Sequence, residues 1–192
     1  MVSPQTRSGF RFITRSAAQT RILDAALQLI AEHGVGGTSL QMIADAIGVT
    51  KAAVYHQFKT KEQIVIALTE RELGSLEEAL EAAEAHNHRT QAREVLLARV
   101  IDLAVERRGV ASTLQFDPVI VRLLAEHKPF QKFIQRLYGV LVDDDAEDAR
   151  VTAAMLSGAI AVGVVHPFVA DIDDETLRAQ LLRIIHRLFD AV

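Results

Sequence analysis

The chain has 192 residues, 49% of them hydrophobic, enough for one or two domains with a sizeable core. It has no cysteine, which excludes disulfides, thiolate metal sites and cysteine nucleophiles and suits a reducing cytoplasm; no apolar stretch reaches membrane-spanning length, the longest, Met155 to Val165, being rich in Ala and Gly and ending at His166-Pro167. The net charge of −4 hides an asymmetry: residues 1–61 hold seven Lys/Arg against three Asp/Glu, a net +4, and residues 62–192 hold fourteen against twenty-two, a net −8, so only the N-terminal part suits a polyanion.

Residues 1–15 carry Arg7, Arg11 and Arg15 and no acid, and read as a disordered basic arm, with minor-groove contacts as a second reading. A first helix is expected from about Ser16 to Glu32, burying Ile22, Ala26, Leu29 and Ile30 and ended by Gly34, Gly36 and Gly37. Thr38 and Gln41 then have capping-box spacing, and Leu40, Ile43, Ala44 and Ile47 fall on one face of a short helix. Gly48 follows where a left-handed backbone is needed, and the small Ala44 lets the next helix cross closely. Thr50 caps that next helix, whose inner face carries Val54 and Phe58 and whose outer face carries Lys51, Ala52, Tyr55 and His56. Two short helices about a tight turn, with a basic outer face, form a helix-turn-helix whose expected partner is DNA.

Thr60 and Gln63 make a second capping box, opening a long helix to about Ala85 with Gly74 as a bend. After the break at His86-Asn87-His88, Thr90 to Arg108 reads as a helix ended by Gly109. Pro118 and Pro129 each stand in a first turn, so a short helix over Val119 to Glu126 precedes one from Pro129 to about Val142. The acidic run from Asp143 to Asp148 caps a helix from about Asp145 to Ala170, and Asp173 to Ala191 is the last. No strand alternation or repeat occurs, so the fold class is all-α, with about nine helices. The expected division is an arm (1–15), a helix-turn-helix domain (16–62) and a helical ligand-binding and dimerisation domain (63–192).

The segment Thr20 to Thr69, through TRILDAALQLIAEHGVGGTSLQMIADAIGVTKAAVYHQFKTKEQI, resembles the N-terminal DNA-binding domain of the TetR family of bacterial transcriptional regulators. It keeps the Gly-rich turn before Thr38, the pairs Ile43-Ala44 and Gly48-Val49, and Tyr55, Phe58 and Lys61, in order and without gaps; at Gln57 it departs from the His or Tyr more usual in the family. The resemblance implies that Thr50, Lys51 and Ala52 enter the major groove, with Lys51 donating to guanine and Ala52 touching a thymine methyl. Tyr55, His56, Lys59 and Lys61 are assigned to phosphates, with Thr38, Ser39 and Gln41 at the preceding helix start. Tyr55 as a packed residue and Lys59 as a solvated charge are the plain alternatives.

One helix-turn-helix spans too few base pairs for operator selectivity, so a homodimer on a two-fold operator is expected. The last two helices are the dimerisation candidates: Ala153, Ala154, Ser157, Gly158, Ala161 and Gly163 give close approach, and Leu177, Leu181, Leu182, Ile184, Ile185, Leu188 and Phe189 an apolar stripe. In the family the equivalent pair forms a four-helix bundle; plain core packing is the alternative. The family also binds small molecules among its central helices. Phe130, Phe133 and Leu137, with Leu97, Ile101, Phe116, Tyr138 and Met155, are assigned to a mostly apolar pocket, and Gln115 and His166 to a polar group of the ligand; an ordinary core stripe fits the same spacing.

An enzyme is not indicated: no nucleophile–base pair, convergent carboxylates or phosphate loop is present. No cofactor or metal is expected, since His86 and His88 have no third ligand nearby and Asp143, Asp144 and Asp145 lack a calcium-loop pattern. The reading is a cytoplasmic regulator, most simply a repressor released by a small apolar ligand. The alternatives are an activator or ligand-independent regulator of the same fold, and a protein-interaction module without DNA binding.

Overall fold

The computed structural model describes residues 15–108, 117–142 and 148–190, and these are helical throughout, without a strand. In chain order the helices are α1 (Ala17–Gly37), α2 (Leu40–Ala46), α3 (Lys51–Gln57), α4 (Lys61–Glu84), α5 (Arg89–Glu106), α6 (Pro118–Glu126), α7 (Lys128–Leu141), α8 (Ala149–Val165) and α9 (Asp174–Asp190), with a 3-10 turn at Pro167–Val169. The all-α expectation holds. Gln115, Phe116 and most of the acidic run, residues 143–147, lie outside the described residues, as do Arg7 and Arg11.

Caps explain most helix starts. Ser16 Oγ accepts from Gln19 N (3.2 Å) while Gln19 Oε1 accepts from Ser16 N (3.1 Å), a reciprocal box that satisfies two otherwise orphaned donors. Thr50 Oγ1 accepts from Ala53 N and Thr60 Oγ1 from Gln63 N, both at 3.2 Å. The expected box at Thr60 closes one residue early, since Gln63 Oε1 takes its proton from Lys59 N (2.8 Å). α1 breaks at Gly34, whose φ of +69° is helix-terminating, and resumes as one turn to Gly37. α4 runs uninterrupted through Gly74, where a bend was expected. Asp117 Oδ1 caps α6 by accepting from Val119 N (2.8 Å), and Asp173 Oδ1 caps α9 by accepting from Thr176 N (2.9 Å).

Two hydrophobic cores result, and they meet along α4. The first gathers Leu23, Ala26 and Ile30 of α1, Ile43 and Ala44 of α2, Val54 of α3, Phe58, and Ile64 and Leu68 of α4, together with Ile120 and Leu124 of α6. The second gathers Leu76 and Leu80 of α4, Leu96, Leu97 and Ile101 of α5, Phe133, Leu137 and Leu141 of α7, Leu156 and Ile160 of α8, and Leu177 and Ile185 of α9. Each fully buried aliphatic side chain contributes about 1.5–3 kcal/mol relative to exposure, so each core is a substantial cooperative unit. α6 is the cross-link: its Ile120 and Leu124 belong to the first core, and Phe130, just beyond it, packs against both.

Charged pairs reinforce the joints. Arg136 of α7 grips Glu84 of α4 with Nε and Nη2 (2.9 and 2.7 Å) and also bonds Glu77. The Glu84 carboxylate foremost, with Glu77, holds the Arg136 guanidinium above its ordinary pKa. Arg15, expected in the free arm, is instead anchored on α4, with its Nη2 2.7 Å from Glu70 Oε2.

Candidate nucleic-acid interface and effector cavity

The helix-turn-helix is built from both of its faces. Ile43 and Ala44 of α2 and Val54 of α3 are fully buried against α1, so α3 cannot roll without exposing them. The turn closes by Gly48 N donating to Asp45 O (3.2 Å) and Val49 N to Ala44 O (3.0 Å). Gly48 has φ +68°, and a Cβ there would meet nothing within 4 Å, so glycine is required by backbone conformation alone. With the inner face fixed, Lys51, Ala52, Tyr55 and His56 point outward as expected, and Ala53 joins them. Lys59 Nζ lies 4.6 Å from the centre of the Tyr55 ring, a cation–π contact that joins these two candidate phosphate contacts into one unit.

Two of the DNA assignments are corrected. Thr38 does not cap α2. It is 2% exposed, and its Oγ1 donates to Gly34 O (2.9 Å), so no phosphate reaches it. The cap is Ser39, whose Oγ accepts from Met42 N (3.2 Å), and Gln41 is turned to Asp45 (2.7 Å). Lys61 is also turned inward: its Nζ donates to Val35 O (2.5 Å) and Thr38 O (2.9 Å), making it a tie between the start of α4 and the turn before α2. The spacing missed Arg21 on α1, whose Nη2 donates to Ile47 O (3.1 Å) at the end of α2 on the exposed side.

Asp117 meets the same turn from the other direction. Its Oδ2 accepts from Val35 N (2.9 Å) while Oδ1 caps α6, so the first turn of α6 is bonded to the residue that opens the approach to α2. Sequence separation hid this contact, which spans 82 positions.

Between α4, α5, α6, α7 and α8 lies a cavity of about 380 Å³. Four of the expected residues line it: Phe130, Phe133, Leu137 and Tyr138. Leu97 and Ile101 are packed inside the second core instead, because α5 turns Val100, Leu103, Ala104 and Arg107 to the cavity. Met155 is 70% exposed. His166 is also exposed, with its ring edge-on to Phe168 at 4.8 Å and its Nδ1 accepting from Phe168 N (3.2 Å), so neither reaches the cavity. Sequence reasoning missed the α4 wall, Thr69, Glu72, Leu73 and Leu76, and the α8 wall, Ser157, Ile160 and Ala161. Glu72 is 7% exposed and bonds Arg71 Nε (3.1 Å) and Arg107 Nη1.

α8 and α9 each expose large apolar side chains. Val151, Met155 and Val162 of α8, Phe168 of the following turn, and Ile184 and Leu188 of α9 are all exposed. Of the residues expected at a dimer interface, Ala154, Ile184 and Leu188 are exposed and Gly158 is half-buried. Ser157 and Ala161 face the cavity, Ile185 is in the core, and Leu181 packs against Gly163, where a Cβ would meet its Cδ2 at 3.3 Å. A run of small residues in α8 does not tell its two faces apart; burial does.

The comparisons with known proteins agree with this geometry. The profile of bacterial regulatory proteins of the tetR family matches residues 22–68, the span of the first core from Ile22 to Leu68. Over a longer stretch, 31% of 150 residues are identical to the HTH-type transcriptional regulator BetI of Rhizobium meliloti, covering 71% of this chain and 73% of BetI. The chain belongs to the TetR family. Residues 22–68 are therefore that family's N-terminal helix-turn-helix. Among other TetR relatives, the HTH-type transcriptional regulator AcrR of Shigella flexneri is 36% identical over 99 residues, 49% of this chain and 46% of AcrR, so the match spans about half of that protein's length. The whole fold superposes on the transcriptional regulator FadR of Bacillus subtilis, solved in complex with stearoyl-CoA, with a TM-score of 0.65 over 86% of this chain and 96% of that one; at 20% identity this likeness is one of fold. Among the described residues no helix is long and apolar enough to cross a membrane.

Proposed function

We propose that this TetR-family chain is a cytoplasmic repressor that binds a two-fold operator as a homodimer and is released by a small, mostly apolar ligand. The observation that carries the reading is the division of α3 into a locked inner face at Val54 and an exposed outer face at Lys51, Ala52, Tyr55 and His56. Thr50, Lys51 and Ala52 serve base recognition, and Ser39, Gln41, Tyr55, His56 and Lys59 the backbone on either side. Residues 16–62 form the reading head and 63–192 the effector and pairing unit. Two copies join through α8 and α9, around Met155, Val162, Ile184 and Leu188, large apolar side chains that are all exposed in the single chain.

Release needs a ligand that binds the DNA-incompetent arrangement more tightly, and a coupling of about 1–3 kcal/mol suffices for roughly 5–150-fold weaker operator binding. α6 is suited to carry it, because Leu124 belongs to the first core and also lines the cavity, while Asp117 bonds the turn before α2.

Selecting bound duplexes from random DNA and then measuring Lys51→Ala on single-base variants tests the reading. The variant loses about 1–3 kcal/mol of discrimination at one position per half-site. An equal loss on every duplex refutes the assignment of Lys51 to a base.

A further inference from the structure

The cavity wall is almost wholly apolar, and its few polar groups are unequally committed. The Thr69 hydroxyl donates to Val65 O (3.0 Å) and the Ser157 hydroxyl to Ala154 O (3.0 Å), so both donors are spent on their own helices. Both Glu72 oxygens accept from guanidinium groups, one from Arg71 and one from Arg107, and the carboxylate is buried. Arg107 differs. One of its five side-chain N–H donors goes to Glu72, its side chain bonds no other described residue, and that side chain is 45% exposed. It reaches from a buried anchor to the lip of the cavity with a charged, planar fork held in place.

These facts decide the sign of charge at that lip. A cationic ligand would have to take Glu72 from two arginines, leaving guanidinium charge uncompensated beside an apolar wall, which is strongly unfavourable. An anionic group needs nothing broken: it accepts from the unspent edge of Arg107, and charge-assisted bidentate contacts of this kind are among the strongest polar contacts available. Glu72 is shared with Arg71, so it compensates Arg107 only in part.

We propose that the cavity takes an amphipathic anion, with its hydrocarbon chain among Leu76, Leu103, Phe133 and Leu137 and its anionic end, a carboxylate or the phosphates of an acyl thioester of coenzyme A, on Arg107. The proposal rests on the cavity being the effector site and adds the chemical class of the effector.

The test is calorimetry of the full-length protein with dodecanoate, dodecanoyl-CoA, dodecanol and dodecyltrimethylammonium, which share one chain and differ in the head. At least one anionic compound binds about tenfold or more tighter than the alcohol, and the cation binds more weakly than the alcohol. The better anion identifies the source of the negative group. Arg107→Gln erases the anion's advantage and leaves dodecanol affinity within about twofold, so the alcohol reports an intact cavity. Should Arg107→Gln not fold, Arg107→Lys keeps charge beside Glu72 without the fork, and gives a partial loss for the anion and none for the alcohol.

Equal binding of alcohol and anion, tighter binding of the cation, an anion advantage that survives at Arg107→Gln or is undiminished at Arg107→Lys, or no binding by any of the four overturns the proposal. A gel shift on the same preparation separates this from the regulatory reading. Salt-sensitive operator binding without an anion advantage removes only the head-group assignment, and anion binding that never releases DNA removes only the effector role.

Discussion

Replacing Lys61 by Ala separates two accounts of a residue that the family resemblance assigns to DNA. In the structure its ammonium donates to two carbonyls, Val35 O and Thr38 O, at the turn between α1 and α2. Hydrogen bonds from charged donors each contribute about 1.5–3 kcal/mol. Lys61 is half-buried, so water partly replaces what is lost, and a total of about 2 kcal/mol is expected from the pair. For a chain of this size that corresponds to a fall of about 4–8 °C in the melting temperature. Thermal denaturation followed by circular dichroism reads the first quantity, and operator affinity between about 50 and 200 mM salt reads the second. The expected pair of results is a clear loss of stability with the salt slope unchanged. A phosphate contact gives the opposite pair, unaltered stability and a slope smaller by about one; that outcome would refute the tie.

The paired substitution Met155→Asp with Ile184→Asp places charge among the exposed apolar side chains of α8 and α9, and sedimentation should report a folded monomer with operator affinity reduced at least about a hundredfold. Asp117→Ala removes both the α6 cap and the bond to Val35 N, so stability falls by about 1–2 kcal/mol; effector affinity should persist while effector-driven release of DNA weakens, as a gel shift with and without ligand would show. Asp173 has a pH signature. The Thr176 backbone N–H holds its carboxyl below the ordinary value, so its cap on α9 is present above about pH 4 and is lost as pH falls through the depressed folded value. Asp173→Asn should flatten the acid limb of the stability profile below that pH, and an unchanged limb would count against the cap.

Much of the fold is legible because local chemistry decides it. Ser or Thr before an apolar run, Pro in a first turn and Gly at a positive φ each act within a few residues, and Thr50, Thr60, Pro118, Gly34 and Gly48 all do what their chemistry predicts. Failures arise where a distant partner competes. Thr38 and Ser39 are equally good caps in sequence, and the choice falls to Ser39 because the Thr38 hydroxyl is drawn to Gly34 O. Lys61 stands in the first turn of a helix and looks solvated until the end of α1 is folded over it. Periodicity places Leu97 and Ile101 on one face of α5 but cannot say that this face meets the core while Val100, Leu103 and Arg107 meet the cavity. Glu72, in a run of acids on α4, gives no sequence sign that two arginines from different helices will bury it.

The central claim is that the outer face of α3 lies against duplex DNA and is presented twice by a symmetric dimer. Hydroxyl-radical footprinting of a selected duplex, at an ionic strength that abolishes binding to bulk competitor, tests it most directly. The account predicts two equivalent protected half-sites on one face of the duplex, centred about one helical turn or a whole multiple apart, with protection lost in Lys51→Ala. A single protected patch, or uniform protection that Lys51→Ala leaves unchanged, would contradict it.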